Sequence, residues 1–315
     1  MKVKNLIILL SVVLLAGCTK EDLSKCAIDV RFRYDMNSEG VDKFATDISK
    51  VNLFVFNESG VLVQEYVDAG DRLDGTYRMS LKLDPGVYDF VAWGDMGDDY
   101  HHPPLTPGES SIDEGRVSLK TVAGNMHTHH DPIYHGSRVR VQVKEFGNEV
   151  LWINKIKLTK SVRVKFHGLP ISSSGASRSG SNADRFVCRI VGRNADYCFY
   201  ALPAENRQVQ HFSPEYDFDA ATQTLTLDFA TMRLFDDNSC QSNLILEYHP
   251  TDGSSAITIL NVKLTDVIKV QYPTVDFVRD DTFVLPFDYR GDYAFAEFTV
   301  TINGWTAGGT NVIGI

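Results

Sequence analysis

The chain has 315 residues, of which 43% are hydrophobic and 11% aromatic. This composition is typical of a folded chain with a substantial core and excludes general disorder. Its 31 basic and 41 acidic side chains give a formal charge of −10, which disfavours nucleic acid and anionic lipid as partners of the surface as a whole.

The first 17 residues have the pattern of a bacterial lipoprotein leader. Lys2 and Lys4 precede the apolar segment Leu6–Leu15, which is too short to span a bilayer of roughly 30 Å. The segment ends in Leu-Ala-Gly-Cys, a lipobox whose small residues admit the signal peptidase before Cys18. We therefore predict that residues 1–17 are removed and that Cys18 is the lipidation site, which would hold the protein in the outer membrane.

Residues 18–25 are predicted to form a tether between the lipid and the fold. The seven residues after Cys18 span at most ~25 Å, and Lys20-Glu21-Asp22 resembles a short signal that sends lipoproteins to the cell surface. Loss of the two leader lysines leaves 29 basic and 41 acidic side chains, a formal charge of −12. We expect a lipid-anchored, surface-exposed protein of the outer membrane.

Alternating apolar and polar residues, the pattern of half-buried strands, dominate the rest of the chain. Asn57–Gly60 separates two such strands as a hairpin turn in which glycine takes the left-handed position. The predicted strands are Ala27–Tyr34, Val51–Phe56, Val61–Tyr66, Tyr77–Leu83, Val87–Trp93, Arg138–Lys144, Leu151–Leu158, Val162–Phe166, Phe186–Val191, Thr224–Phe229, Leu244–His249, Ile257–Leu264, Thr282–Leu285 and Ala294–Ile302.

Many short strands separated by turns predict an all-β protein built from β-sandwiches rather than a parallel α/β sheet. Only Asp42–Ser49 and Phe229–Asp236 favour short helices. A polar break at Thr159–Ser161 interrupts otherwise continuous strand character. We place a domain boundary there and predict two tandem β-sandwich domains, residues 26–159 and 160–315.

Four cysteines lie in the predicted domains, and an envelope location permits disulfides. Cys188 and Cys198 flank a Gly-Arg-Asn turn centred on Arg193. A hairpin there would place the two thiols opposite each other at a spacing that suits a disulfide. Two unbridged buried thiols are the alternative, and the sequence assigns no partner to Cys26 or Cys240.

Histidines are concentrated between residues 127 and 135, after the earlier pair His101-His102. His127 and His129 would share one face of a strand, and His135 lies close by, so a zinc or copper site is conceivable. No cysteine or carboxylate stands at the usual ligand spacing. We therefore expect solvated loop histidines and no metal site.

Two further motifs could carry function. Asp95, Asp98 and Asp99 could bind calcium but lack the alternating oxygen ligands of a calcium loop, so we expect a solvated loop. Arg290-Gly291-Asp292 matches an adhesion tripeptide but is also an ordinary solvated turn. The signatures of hydrolases, zinc proteases and phosphate-binding loops are absent from the sequence. We predict no catalytic residue, no cofactor, no small-molecule substrate and no enzyme activity.

Six segments follow one another along the chain in an order that carries a family resemblance: Val30–Asp35, Val51–Gly60, Leu83–Gly94, Asp131–Gly136, Lys157–Leu169 and Val300–Trp305. Together with the lipobox they resemble the FimB-like fimbrium-anchoring subunits of Bacteroidales, over almost the whole mature chain. The resemblance implies two transthyretin-like β-sandwiches in tandem and a structural role in a surface fimbrium. It also implies that Asp131–Gly136 is a structural segment that needs no metal.

Within the family that the chain resembles, shaft and anchor subunits differ in whether the first strand is removed by proteolysis. Shaft subunits of the superfamily are cut after a basic residue beyond that strand, and the vacated groove accepts a strand from a neighbouring subunit. An anchor keeps its first strand and its lipid. The candidate cut sites here are Arg31, Arg33 and Lys43, none in an obvious exposed basic site, which favours the uncut anchor.

The sequence thus predicts an outer-membrane lipoprotein that anchors and terminates a surface fimbrium through strand or edge pairing with fimbrial shaft subunits. A polymerising shaft or tip subunit is one alternative. A surface glycan-binding lipoprotein is another, and it would use Trp93, Trp152 or Trp305 as exposed aromatics. The apolar neighbours of these tryptophans favour core positions instead.

Overall fold

A computed structural model of the chain describes residues 26–121, 126–144, 149–171, 185–199, 208–237, 240–291, 296–302 and 305–307. The predicted leader, Cys18 and the tether lie outside this part. Strands make up most of the described residues, and the prediction of an all-β protein is confirmed.

The strands, numbered in chain order, are β1 Cys26–Met36, β2 Lys50–Asn57, β3 Leu62–Ala69, β4 Arg78–Leu83, β5 Gly86–Gly94, β6 Tyr100–His101, β7 Arg116–Leu119, β8 Met126–His127, β9 Tyr134–Val143, β10 Glu149–Lys157, β11 Thr159–His167, β12 Phe186–Gly192, β13 Asp196–Cys198, β14 Gln210–Phe212, β15 Glu215–Asp219, β16 Thr224–Met232, β17 Asn243–Tyr248, β18 Ile257–Lys263, β19 Thr282–Gly291, β20 Ala296–Ile302 and β21 Trp305–Ala307. The helices are α1 Phe44–Asp47 and α2 Leu264–Gln271.

Each predicted strand overlaps an observed strand, whereas the helices differ from the prediction. Helix α1 lies inside Asp42–Ser49, as expected. The predicted helix Phe229–Asp236 is wrong, because β16 continues to Met232 and pairs with β11 along its whole length. Helix α2 was not predicted, although Leu264, Val267 and Ile268 have helical spacing and are buried on one face.

The first sheet has seven strands in the order β3-β2-β5-β9-β10-β1-β4 and folds into two layers. Layer one contains β3, β2, β5 and β9, and layer two contains β10, β1 and β4. Strand β9 joins β10 by antiparallel pairing along Tyr134–Gly136. Side chains from both layers pack into one core, which includes Ile28, Val30, Phe32, Leu53, Val55, Leu81, Phe90 and Ile153.

The outer face of layer one is covered by the second half of the chain. Phe54 and Trp93 point away from the first core and join a second core cluster. The centroid of the Phe199 ring, directly after β13, lies 4.7 Å from that of Phe54 and 6.1 Å from that of Trp93. Because β2 and β5 are covered on both faces, their sequences are almost continuously apolar.

Three more sheets contribute to the second core. Their orders are β15-β16-β11-β19-β20-β21, β18-β17-β12-β14-β8 and β13-β7-β6. The chain leaves layer two at Lys157 and enters the six-stranded sheet at Thr159, close to the boundary that we placed. Strands are nevertheless shared across it, because β13 pairs with β7 and β14 pairs with β8. The domain limits 26–159 and 160–315, like the transthyretin likeness, stay predictions.

Candidate functional site: the first strand and the surfaces around it

Strand β1 is an internal strand of the first sheet. It pairs in parallel with β10, where Ile28 lies opposite Glu149, and antiparallel with β4, where Cys26 lies opposite Leu83. The parallel ladder reaches Met36, the last residue of β1, after an irregularity between Arg33 and Met36. The backbone of this strand is therefore hydrogen-bonded on both sides over its first half and to β10 over most of its length.

The inward side chains of β1 form part of the first core. Ile28, Val30, Phe32 and Tyr34 are each 3% exposed or less. Burial of one such side chain contributes about 1.5–3 kcal/mol, so the four contribute about 6–12 kcal/mol. That sum is comparable with the whole net stability of a typical domain, about 5–15 kcal/mol. Removal of β1 would expose the core unless another strand replaced it.

The connection after β1 is closed by side chains that cap its backbone. The Asn37 amide donates to the carbonyl oxygens of Tyr34 and Val41, at 2.7 and 2.8 Å. Asp42 accepts hydrogen bonds from the backbone N–H of Tyr34 at 2.8 Å and of Phe44 at 3.0 Å. These bonds hold β1, the connection and α1 together as one unit.

All three candidate cut sites lie in hydrogen-bonded backbone. Arg31 and Arg33 lie within β1 itself. The carbonyl oxygen of Lys43 accepts hydrogen bonds from the N–H groups of Thr46 at 3.2 Å and Asp47 at 2.9 Å. The peptide bond after Lys43 is therefore the first of a helical turn. Proteases bind extended segments, and cleavage after Lys43 would require this turn to open.

The outer face of layer two carries an exposed tryptophan, so our expectation of a core position for Trp152 is wrong. Trp152 is 46% and Val150 54% exposed. The guanidinium carbons of Arg31 and Arg33 lie 5.5 and 5.9 Å from the centroid of the indole ring. The alternation along β10, which places Leu151 inward, could have revealed that Trp152 points outward.

Acidic side chains on the same face balance part of its positive charge. Asp29 lies 3.5 Å from Arg78 and accepts a 2.5 Å hydrogen bond from Ser80. Asp35 lies 3.6 Å from Arg33. Lys82, exposed on β4, adds a further cation in line with Arg78 and Ser80.

Strand β3 is one edge of the first sheet, and its outer side is only partly paired. Leu62 exchanges hydrogen bonds of 2.8 Å with residues 108 and 110. Beyond it, the antiparallel alternation directs the backbone groups of Glu65, Val67 and Ala69 away from β2. Within the described residues, no strand pairs with this outer side. Sequence reasoning found the strand but had no signal for its edge position.

The charged residues of β3 do little to protect its edge. Glu65 accepts a 2.8 Å hydrogen bond from the Asn52 amide, and the Asp68 side chain is only 18% exposed beside Arg72. Val63 is 36% and Val67 55% exposed. By contrast, the edge strand β15 exposes Glu215, Asp217 and Asp219, and the edge strand β4 exposes the basic and hydroxyl side chains of its outer face. The β3 edge is thus well suited to pair with another strand.

The expectation of solvated histidines is wrong for three of them. His127, His130 and His135 are 3%, 4% and 1% exposed. The Nε2 atom of His127 lies 2.8 Å from Gln210 Oε1, and Nε2 of His135 donates to the Phe199 carbonyl at 2.8 Å. These histidines join the first sheet and its connections to the second half of the chain.

Burial sets the protonation of these histidines. It lowers the pKa of His130 to about 4 and that of His135 to about 3, and it also lowers the pKa of His127. A lowered pKa keeps these rings neutral at pH 7. In the described part of the chain, no three His, Cys, Asp or Glu side chains are arranged to hold a metal ion.

Two of the three aspartates considered as calcium ligands, Asp95 and Asp99, accept hydrogen bonds from backbone N–H groups, whereas Asp98 is exposed, as expected of a solvated loop. Asp95 accepts from the N–H groups of Ser49 and Lys50 at 3.0 and 2.9 Å. Asp99 accepts from the N–H of Asp131 at 2.7 Å. Each carboxylate therefore fixes a different loop.

The remaining predicted motifs are separated in the fold. Trp93 is 0% exposed, as the core prediction required. Trp305 begins β21, and its side chain lies outside the described part. Arg290 pairs with Glu297 at the end of the β19–β20 hairpin, whereas Asp292 lies outside the described residues.

The predicted hairpin between Cys188 and Cys198 is wrong. Cys188 lies on β12, which pairs with β14 and β17, whereas Cys198 ends β13, which pairs with β7. Cys188 is a buried free thiol, and burial raises its pKa. The alternative of an unbridged Cys188 is therefore the one that the structure supports.

Two buried lysines escaped sequence reasoning. Lys155 is 0% exposed, its Nζ has no hydrogen-bond partner, and it lies 5.3 Å from the centre of the Phe32 ring. Burial lowers its pKa to about 7. Lys160 donates to the carbonyls of Val278 and Asp280, at 3.3 and 2.8 Å, and burial lowers its pKa to about 8. Lys155 lies on a predicted strand, whereas Lys160 lies in the predicted polar break Thr159–Ser161, which β11 spans.

Comparison with known proteins identifies the family of this fold. The family model of the fimbrillin-A associated anchor proteins Mfa1 and Mfa2 matches residues 23–307. The chain belongs to this family. The predicted resemblance to fimbrium-anchoring subunits is thereby confirmed.

Solved structures share the fold over nearly their whole length. The fimbrial anchor protein Mfa2 from Porphyromonas gingivalis superimposes with a TM-score of 0.74 and 18% identity, covering 90% of this chain and 99% of that one. A candidate adhesin from Bacteroides ovatus gives a TM-score of 0.78, 19% identity and coverages of 93% and 98%. A candidate polysaccharide-binding protein from Bacteroides thetaiotaomicron gives a TM-score of 0.75 and 24% identity, covering 91% of this chain and 99% of that one. None of the curated proteins compared with the chain matches it by sequence.

Membership of this family gives the chain a role associated with fimbriae and a location at the cell surface. The family comprises structural proteins of the anchor and adhesin type. Within the described ranges, no helix combines the length and apolarity needed to cross a membrane.

Proposed function

We propose that this protein is the lipid-anchored terminal subunit of a surface fimbrium, held in the outer membrane through Cys18 and bound to a fimbrial shaft subunit. The integration of β1 supports this proposal most directly. A subunit that keeps β1 has no vacated groove for a donor strand, so a polymer that grows by strand donation ends there. The helical turn after Lys43 protects the bond whose cleavage would release β1.

Contact with the shaft must then use a surface other than the β1 groove. We assign it to the β3 edge, where Glu65, Val67 and Ala69 direct backbone groups outward. An added strand would gain main-chain hydrogen bonds there, and its side chains could contact the exposed Val63 and Val67. The connection at residues 108–110 would limit how far such a strand extends.

Anchoring is tested by replacing the proposed lipidation site. In cells that produce Cys18→Ala, we expect fimbriae to be released into the medium, because no acyl chain holds their base. Cys198→Ala is the matched control, since it removes a cysteine without touching the lipobox. Fimbriae that stay attached to Cys18→Ala cells would contradict the anchor.

N-terminal analysis of the mature surface protein distinguishes the anchor from a polymerising shaft or tip subunit. We expect a modified N-terminus at Cys18 and a retained β1. A mature chain that begins after Arg31, Arg33 or Lys43 would identify a processed polymer subunit instead.

The β3 edge is tested by Val67→Pro, which removes one outward N–H without disturbing the bonds to β2. We expect fimbriae to be lost from cells while the variant itself remains folded and lipidated. Val67→Thr keeps the N–H and the branched shape, and it should retain fimbriae. Equal retention by both variants would exclude this edge as the contact.

A glycan-binding lipoprotein remains the second candidate because Trp152 is exposed. Trp152, however, stands on the outer face of a sheet, between two arginines, whereas small-ligand sites are usually concave. Retention of the protein on neutral glycan gels, lost in Trp152→Ala, would favour this candidate.

A further inference from the structure

The outer face of layer two combines aromatic, aliphatic and basic side chains that neither fimbrial contact nor core packing uses. We define the layer-two face by Arg31, Arg33, Arg78, Lys82, Val150 and Trp152. We infer that this face lies on the anionic headgroup layer of the membrane that carries the lipid anchor, so that the first domain docks on the membrane. The inference rests on the proposed acylation of Cys18.

The tether keeps this face within reach of the membrane. Seven residues separate Cys18 from Cys26 and can span at most about 25 Å. Arg31, which lies opposite Trp152, is five residues along β1, about 17 Å from its start. Val150 lies opposite Asp29, closer still to that end. An acyl chain in the membrane therefore places the layer-two face, among the faces of the first sheet, nearest the attachment point.

The side chains of the face suit the boundary between water and lipid. Tryptophan is enriched at that boundary because its ring is apolar and its N–H is polar. Arginine forms bidentate hydrogen bonds with phosphate. Arg31 and Arg33 flank the indole within 6 Å, so Trp152 and two phosphate-binding groups are presented together.

Charge complementarity makes this face the docking side, although the chain as a whole is acidic. The face carries four basic side chains against Asp29 and Asp35, whereas the mature chain has a formal charge of −12. Repulsion from distant acidic residues is screened beyond about 8 Å at physiological salt. The local charge of the contacting face therefore decides the orientation, and the acidic remainder is kept away from the headgroups.

The tether also means that a weak contact is sufficient. Linkage to the membrane raises the effective concentration of the face at the headgroups to roughly millimolar. Each arginine or lysine near an anionic surface strengthens binding about fivefold, which corresponds to about 1 kcal/mol. Asp29 and Asp35 offset two of the four cations on this face and leave a net charge of +2 (four minus two). This charge and one tryptophan can then hold the domain down in a reversible way.

Vesicle binding by the non-acylated mature chain, residues 19–315, tests the face alone. The probe is vesicles of phosphatidylcholine with 30% phosphatidylglycerol, compared with pure phosphatidylcholine, and binding is measured by co-sedimentation at physiological salt. We expect binding to the anionic vesicles only. Arg33→Glu combined with Arg78→Glu should weaken it at least tenfold, and Trp152→Ala severalfold.

The matched control reverses the same number of charges elsewhere. Arg72→Glu with Arg163→Glu alters two exposed arginines, on the loop after β3 and on β11, and should leave binding within twofold of the parent. Equal weakening by both pairs would show general charge attraction and overturn the inference. Failure of the parent chain to bind anionic vesicles would overturn it as well.

A further arm separates a membrane from a soluble anionic glycan. Soluble polygalacturonate that binds the chain more tightly than anionic vesicles do, through the same arginines, would assign the face to a glycan and overturn the inference. Because the vesicle assay uses non-acylated chain, its outcome is independent of fimbrial release by Cys18→Ala. Failure of docking and failure of anchoring are therefore distinguishable.

Discussion

Trp93 and Trp152 occupy equivalent places on the two layers of the first sheet, yet their environments are opposite. Trp93 points outward from layer one and is 0% exposed, because Phe199 and the rest of the second core cover that face. Trp152 points outward from layer two and is 46% exposed, with Arg31 and Arg33 beside its ring.

The difference shows that burial of an outward residue depends on which part of the chain returns to cover it. Local alternation decides only which residues share a face. On layer one the covering ring is Phe199, which is itself closely packed. A Cβ at Gly115, just before β7, would lie 2.5 Å from that ring, so the ring lies directly against the Gly115 backbone. On layer two, no equivalent covering segment occurs among the described residues.

Truncation of Trp93 should produce the largest effect on stability. Trp93→Ala removes a fully buried ring in contact with His135 and Phe199 and should cost about 3–5 kcal/mol. Urea denaturation of the parent and of Trp93→Ala measures this loss in the free energy of unfolding. Trp93→Phe, which keeps an aromatic ring, should lose clearly less. A cost below about 1 kcal/mol for Trp93→Ala would mean that layer one is not covered as described.

The sequence predicted the longer strands because their alternation or continuous apolar character is local. It did not predict β6, β7, β8, β14, β15 or β21, each of two to five residues, since so few residues do not establish a period. The same limit explains the error at Cys188 and Cys198. We expected β12 to pair with β13, which follows it in the chain. Instead β13 pairs with β7, where Tyr197 lies opposite Val117, 80 residues earlier in the sequence.

The candidate site was predictable in its chemistry but not in its arrangement. The lipobox at Cys18 and the basic residues of β1 are visible in the sequence. That β1 lies between β10 and β4, and that β3 forms an edge, depends on parallel and long-range pairing. No local pattern encodes such pairing.

Acid should weaken the covered side through its buried histidines. The pKa of His130 is about 4 and that of His135 about 3, both below 6.5, so the unfolded chain binds more protons as the pH falls below 6.5. Stability therefore falls with pH from about 6.5 to below 4, by about 2 kcal/mol per histidine at pH 5.

Thermal or urea unfolding at pH 7.5 and pH 5 measures this loss. His135→Asn should be less sensitive to acid than the parent, whereas His129→Asn, at a side chain 75% exposed, should match the parent. Equal acid sensitivity of the parent, His135→Asn and His129→Asn would exclude His135 as a cause of the loss.

A buried amine makes the core between the two layers sensitive to pH in the alkaline range. Burial lowers the pKa of Lys155 to about 7, so between pH 7 and 10.5 the unfolded chain binds more protons and stability rises with pH. The expected gain is about 1 kcal/mol from pH 7.5 to 8.5. Lys155→Met should reduce this slope, and Lys160, with a pKa of about 8, should leave a smaller remainder. An unchanged slope in Lys155→Met would show that the amine is not buried.

Trp152→Ala should change stability least of all. Its ring gains about 0.5–1 kcal/mol from the flanking guanidiniums at an exposed site, and no described segment covers it, so the loss should stay below about 1 kcal/mol in urea. Val284→Ala, at a side chain 37% exposed on β19, is the reference for the stability loss expected at a partly exposed strand position. If Trp152→Ala costs as much as Trp93→Ala, the layer-two face is covered in solution, and neither a membrane nor a glycan could reach it.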